Sequence, residues 1–225
     1  MNYEPMRMSS CGAAEEYEDM AENSEFASRL LDTLLAACAI LFLAPLLVLV
    51  AAMVYILDPG PIFFGHRRLG RDGRTFRCWK FRTMVVDSDA RLAQLLAASP
   101  QARAEWARDH KLRNDPRITP IGNFLRKSSI DELPQLFNVL VGDMSLVGPR
   151  PIVRDEMDRY GRYFRDYCRV RPGITGLWQV SGRSDLSYRR RVALDVTYVR
   201  SKSLGLDLKI MFMTVPCVLG ARGSC

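Results

Sequence analysis

The chain has little of what metal centres and covalent frameworks are made from. It contains two histidines, His66 and His110, far apart, and six cysteines (Cys11, Cys38, Cys78, Cys168, Cys217 and Cys225) without C-x-x-C spacing. This pattern argues against a zinc site and a disulfide scaffold, and fits reduced thiols in a cytosolic setting. It has no internal repeat. Nor does it carry a helix-turn-helix, zinc-finger or RNA-binding signature. Bases are nearly missing from the start: residues 1–28 hold seven acids and one base, a net charge of −6. The whole chain of 225 residues carries +7, which leaves +13 on residues 29–225. So basic a body suits an anionic partner: nucleic acid, a phospholipid surface or a phosphorylated substrate. The length allows one sizeable domain plus an anchor.

Charge is absent altogether from Leu34 to Leu57, a run of 24 residues. A straight helix of that length measures about 36 Å, enough to cross a bilayer core of roughly 30 Å. A buried core helix is seldom apolar all round for so long. A cleavable signal peptide fits poorly, because the preceding region is long and acidic. Arg67, Arg68, Arg71, Arg74, Arg77, Lys80 and Arg82 crowd the C-terminal side, which puts residues after 58 in the cytoplasm. Pro45 lies mid-segment and cannot donate to the carbonyl of Leu41. Two geometries answer this: a kinked helix that spans, or a helix–break–helix that dips in and returns.

Beyond the anchor, residues 61–82 read as two strands around an Arg71-Asp72-Gly73 turn. Asp87 to His110 reads as helix interrupted by Pro100, and Thr119 caps a short helix with Pro120 at its first position. In "SSIDELPQL", Ser129 and Glu132 have capping-box spacing. Leu133, Leu136, Phe137, Leu140 and Val141 then follow a helical apolar pattern to about Gly142. "DMSLVGPRP" gives a short extended piece and a tight turn carrying Arg150, and residues 153–168 read as helix. Ser184 or Asp185 is expected to cap a basic helix to about Ser203. The apolar end, with Asp207 and Lys209 near its start, suits an amphipathic helix on a membrane surface or in the core.

Asp131 and Glu132 fall in or just before a helix's first turn, where free N–H groups and the dipole favour negative charge. Adjacent residues on a helix point about 100° apart, so the two acids should do different jobs. An ionised aspartate can attack phosphorus without a base, provided a metal and cations cancel the repulsion. Oxygen ligands select Mg²⁺ over Zn²⁺. Arg126, Arg150, Arg183 and Lys80 supply cations suited to diphosphate oxygens.

Four stretches together resemble the bacterial sugar transferases, monotopic phosphoglycosyl transferases acting on polyprenyl phosphate. They are "SRLLD" (28–32), "PGPIFFGHRRLGRDGRTFRCWKFRTM" (59–84), "RITPIGNFLRKSSIDELPQLFNVLVGDMSLVGPRP" (117–151) and "PGITGLWQVSGR" (172–183). The resemblance implies an α+β chain: a re-entrant helix–break–helix anchor, and a small, mostly helical catalytic domain with a short β-hairpin and amphipathic interfacial helices. The divisions expected are a disordered acidic tail (1–28), the membrane helix (29–58) and the cytoplasmic catalytic domain (59–225). Asp131 matches the family nucleophile and Glu132 its partner acid, and the pair is associated with Mg²⁺. Asp131 would attack the β-phosphate of a UDP-sugar, UMP would leave, and undecaprenyl phosphate would collect the sugar-1-phosphate from the aspartate. Lys80, Arg126, Arg150, Arg183 and Asp207 fall on positions associated with substrate binding. Arg29 and Asp32 match a basic–acidic pair that orients the membrane helix. The family's break often reads Ser-Pro, whereas this chain has Ala44-Pro45. The expected setting is the cytoplasmic face of a bacterial inner membrane rich in anionic phospholipid, with no nucleic-acid partner and room for a homodimer. Galactose or glucose is the favoured sugar. Two other classes fit the bulk properties: a membrane-tethered nucleic-acid-binding protein, and a non-enzymatic scaffold in a polysaccharide assembly complex.

Overall fold

A computed structural model describes residues 10–109, 112, 114–182 and 186–219, with side chains given for these except 10–24, 108–109 and 218–219. The chain opens with one helix of 48 residues, α1 (Ser10–Leu57). The acidic segment expected to be disordered therefore enters the helix at Ser10, while residues 1–9 lie outside the described residues. The helix also passes through Pro45 with no break in its helical run. Proline removes one hydrogen bond, to the carbonyl of Leu41, and the flanking turns keep theirs.

One face of α1 packs along the rest of the chain for most of its apolar length. Ala36 is buried against Cys78, Leu136, Val139 and Met144, and further on Val50 and Val54 pack with Phe81 and Leu125. Each fully buried valine or leucine contributes about 1.5–3 kcal/mol. The opposite face leaves Leu41, Phe42, Val48 and Ile56 between 70% and 83% exposed. Polar groups fasten both ends. The Arg29 guanidinium donates to the carbonyls of Val139 (2.6 Å) and Leu140 (3.0 Å). Asp32 accepts from the Ser145 hydroxyl (2.7 Å) and the Leu146 amide (3.1 Å). Glu25 bridges Arg71 and Arg171. At the other end Arg82 pairs with Asp58 at 3.2 Å.

The expected hairpin is present: β1 (Phe63–Leu69) and β2 (Thr75–Phe81) are antiparallel, in register from Phe63↔Phe81 to Leu69↔Thr75. Asp72 and Gly73 turn it with positive φ. α2 (Ser88–Ala98) and α3 (Pro100–Asp109) follow, separated at Ser99 just before Pro100. α4 (Pro120–Ser128) starts as the sequence predicts, with the Thr119 hydroxyl accepting from the Gly122 amide at 2.9 Å.

The next junction differs from the capping-box reading. Ser129 does not cap α5; it is the left-handed C-cap of α4, with φ 57°, and precedes a short 3₁₀ turn without a capping hydrogen bond from its side chain. Ile130–Glu132 form a separate 3₁₀ turn, and α5 (Gln135–Val141) begins only after Pro134. α5 also divides its apolar residues differently: Leu136 and Val139 are buried, while Phe137 and Val141 face outward.

β3 (Ser145–Val147) leads into Gly148-Pro149-Arg150. The stretch expected to be one helix over 153–168 is broken into short pieces, α6 (Met157–Tyr160) and α7 (Phe164–Tyr167), parted at Gly161 with φ 52°. β4 (Gly173–Thr175) pairs with β3 in parallel, Ser145↔Gly173 and Val147↔Thr175. α8 (Leu177–Ser181) follows. α9 (Tyr188–Ser201) is capped by Ser187, whose hydroxyl accepts from the Arg190 amide, while Ser184 and Asp185 lie outside the described residues. α10 (Leu204–Leu219) buries Ile210 against Val147 and Tyr198 and exposes Phe212 and Val215.

Candidate active site

The left-handed Ser129 turns the chain sharply out of α4 and aims the 3₁₀ turn at the hairpin. Asp131 is thereby buried, its side chain 11% exposed, and faces β2. Lys80, near the end of β2, reaches both acids: its ammonium lies 2.5 Å from Glu132 Oε1 and 3.9 Å from Asp131 Oδ2. Arg126, on the last turn of α4, donates through Nε to the Thr83 hydroxyl at 2.8 Å, and its charge acts on Asp131.

The two acids have different electrostatics. Burial pushes the Asp131 carboxyl up to about 6; Glu132 adds to the rise, and Lys80 and Arg126 hold it back. Burial acts on Glu132 too, but Lys80, Arg150 and Arg68 outweigh it and hold that carboxyl below its ordinary value. Glu132 is thus locked as an anion on Lys80. The charge of an Asp131 carboxylate is only partly compensated by its neighbours.

Beside this pair opens a small, partly open cleft of about 40 Å³, walled by Arg68, Lys80, Glu132, Gln135, Arg150 and Gln179 among others. Arg150 is exposed on its Gly-Pro turn. Arg68 is more enclosed: it donates to the Pro151 carbonyl at 3.3 Å and lies 3.7 Å from Glu156. Burial, and then the charge of Arg150, lower its pKa. Two guanidiniums and an ammonium in one small cleft are chemistry suited to attracting an anion.

The structure therefore brings Lys80, Arg126, Asp131, Glu132 and Arg150 together. Arg183 lies outside the described residues. Asp207 is not among the residues lining the cleft; it is buried at the start of α10, with its carboxyl 2.7 Å from the Tyr198 hydroxyl. Sequence reasoning did not find Arg68, one of many arginines in the hairpin. It also missed Asn138, which is fully buried. The Asn138 amide accepts from the Trp79 N–H at 2.9 Å and donates to the Arg77 carbonyl at 2.7 Å. Those bonds staple α5 to β2 and so hold the Asp131 turn against Lys80. A single polar residue inside the apolar run of α5 was the available signal.

Asp131 and Glu132 offer oxygen ligands alone, and among the described residues no group of three or more His, Cys, Asp or Glu forms. Such a set fits Mg²⁺, which keeps several waters and takes its remaining oxygens from one or two carboxylates and a substrate's phosphates. It does not fit a closed zinc site.

Residues 23–221 match the bacterial sugar transferase family. This chain belongs to that family. Among the relatives of this bacterial sugar transferase, the exopolysaccharide production protein ExoY of Sinorhizobium fredii is 50% identical over 196 residues, 87% of each chain. The undecaprenyl-phosphate galactose phosphotransferase of Salmonella typhimurium is 50% identical over 202 residues, 90% of this chain and 42% of that one. The UDP-galactose-lipid carrier transferase of Erwinia amylovora is 51% identical over 202 residues, with the same coverage of 90% and 42%. The matched span takes in the Asp131 turn, Lys80, Arg126, Arg150 and the apolar part of α1.

Proposed function

We propose that the chain transfers a sugar-1-phosphate from a UDP-sugar to undecaprenyl phosphate through a covalent aspartyl-phosphosugar intermediate, as a first membrane step of exopolysaccharide synthesis. The observation that carries this reading is the buried Asp131 carboxylate beside a cationic cleft, 3.9 Å from the Lys80 ammonium, with its own partner acid neutralised separately. Asp131 Oδ forms a bond to the β-phosphorus, and the bond from that phosphorus to the bridging oxygen breaks, so UMP leaves with the electron pair. An oxygen of undecaprenyl phosphate then attacks the same phosphorus and returns the aspartate as a carboxylate. Arg150 and Arg68 hold the diphosphate from the cleft side, and Arg126 from the α4 side. Lys80 lowers the repulsion between carboxylate and phosphate. Glu132 fixes Lys80 in place. Asp131 and Glu132 would hold Mg²⁺, which supplies charge neutralisation at the phosphates.

The acceptor is a lipid, and the anchor suits it. Both ends of the apolar part of α1 are fastened to the same domain, at Arg29 and Asp32 and at Asp58, and its packed face runs along that domain. This supports a helix that enters one leaflet with the domain rather than one that crosses away from it. The arginines following residue 58 favour a domain on the cytoplasmic face. Two relatives bear galactose in their names, which makes UDP-galactose the first donor to test, with UDP-glucose second. The test is UMP release by the purified protein in nanodiscs with undecaprenyl phosphate, Mg²⁺ and a panel of UDP-sugars. One donor should give UMP and a polyprenyl-diphospho-sugar in equal amounts. Absence of UMP with every donor would overturn the assignment.

A further inference from the structure

Tyr198, fully buried on α9, lies between two oxygens. Its hydroxyl oxygen is 3.0 Å from the carbonyl oxygen of Val147 and 2.7 Å from Asp207 Oδ1. A phenol has one proton to donate, and a backbone carbonyl can only accept. If Asp207 were a carboxylate, both neighbours would compete for that proton and a buried acceptor would go short. Both contacts are full hydrogen bonds when Asp207 carries a proton of its own: Asp207 donates to Tyr198, and Tyr198 donates to Val147.

The surroundings of Asp207 shift its balance in the direction of the neutral acid. Burial raises its pKa most, and the Asp32 carboxylate of α1 adds to the rise; the Tyr198 hydroxyl of α9 and the Lys202 ammonium oppose it, and the net direction is upward. Asp32 is itself committed as an acceptor to Ser145 and Leu146.

The far end of this relay is the peptide that carries the cleft arginine. In a trans peptide the C=O and the following N–H point opposite ways. The Gly148 N–H donates to the Thr175 carbonyl at 2.9 Å, so the Val147 carbonyl points away from β4 and towards Tyr198. One residue later the Pro149 carbonyl accepts from the Gly173 amide at 2.8 Å. A Cβ on Gly148 would come within 2.5 Å of the Arg171 carbonyl oxygen, so the turn is closely packed. Arg150 projects from the end of this fastened segment into the cleft.

We propose that Asp207 is a positioning residue, held as the neutral acid, that donates to Tyr198 and through it fixes the Val147–Gly148 peptide on which Arg150 is mounted. This rests on the reading that Arg150 holds the diphosphate of the donor. It assigns Asp207 no contact with substrate.

The full-length protein in nanodiscs decides it, through donor KM, kcat and UDP affinity for wild type and three variants. Asp207→Asn keeps an N–H to donate to Tyr198, so its donor KM and UDP affinity should stay within about threefold of wild type. Asp207→Ala and Tyr198→Phe break the relay and should weaken UDP binding and raise donor KM roughly tenfold, about the worth of one neutral hydrogen bond. Should the alanine variant fail to fold, the asparagine and phenylalanine variants still settle the matter. An asparagine variant as impaired as Tyr198→Phe or worse would overturn the inference, since the negative charge would then be what matters. So would unchanged donor KM and UDP affinity in Tyr198→Phe. Wild type that makes no UMP would instead refute the proposed reaction, and that outcome is separate from the order of the variants in UDP binding.

Discussion

Asp131→Asn should inactivate the protein and at the same time stabilise it. The Asp131 carboxyl sits near 6 in the folded chain, against 3.8 as its ordinary value. Between those values the folded state holds the proton that the unfolded state has released, so stability falls as pH rises across the window and stays reduced above it. At 1.36 kcal/mol per unit, a shift of roughly two units costs about 3 kcal/mol at pH 8. Asparagine is isosteric and uncharged, so the variant escapes that cost. For a chain of this size about 3 kcal/mol corresponds to a Tm higher by roughly 6–12 °C. At about pH 4 both forms are largely neutral and the gap should close. The assay is thermal unfolding in nanodiscs without Mg²⁺, followed by tryptophan fluorescence at the two pH values, alongside UMP release measured with Mg²⁺. A variant that is less stable than wild type at pH 8, or that still turns over, would refute the reasoning. A gain of stability with loss of activity is the expected signature of a charge kept buried for chemistry.

Replacing Lys80 with Gln removes the main group that lowers the Asp131 pKa. The acidic limb of the kcat/KM–pH profile should move to higher pH and the maximum should fall; a limb that stays in place would separate Lys80 from Asp131. Asn138→Ala leaves the Arg77 carbonyl and the Trp79 N–H without their buried partner, which should destabilise the fold by about 2–4 kcal/mol. A denaturant midpoint close to wild type would show that the staple between α5 and β2 is dispensable. Chelation by EDTA should stop UMP release and added Mg²⁺ should restore it; full activity after exhaustive chelation would remove the metal from the reaction.

Much of the scaffold was readable because its signals are local. A run of 24 uncharged residues announces a long apolar helix, long enough to cross a membrane, from composition and length alone. Arg71-Asp72-Gly73 between two β-rich runs is a hairpin, and Thr119-Pro120 is a helix start; each rests on neighbours in sequence. Asp131 and Glu132 stood out because acids are scarce in so basic a region. What escaped depends on distant partners. Ser129 has the spacing of an N-cap, yet the packing of α4 and the hairpin puts it in the left-handed region, and the helix start moves beyond Pro134. Asn138 meets its partners about sixty residues away in the chain, so nothing beside it announces the staple. Phe137 and Val141 are apolar in sequence and outward in structure, because α5 offers one apolar face to α1 and another to the surroundings. Asp207 reads as a site acid by its motif, whereas its surroundings are Tyr198, Asp32 and Lys202.

Intact-mass measurement of the protein quenched during turnover speaks most directly to covalent catalysis. With the productive UDP-sugar and no acceptor lipid, wild type should gain the mass of one phosphosugar, peptide mapping should place it on Asp131, and added undecaprenyl phosphate should discharge it. Steady accumulation of lipid product with no such adduct at any time point would contradict the account.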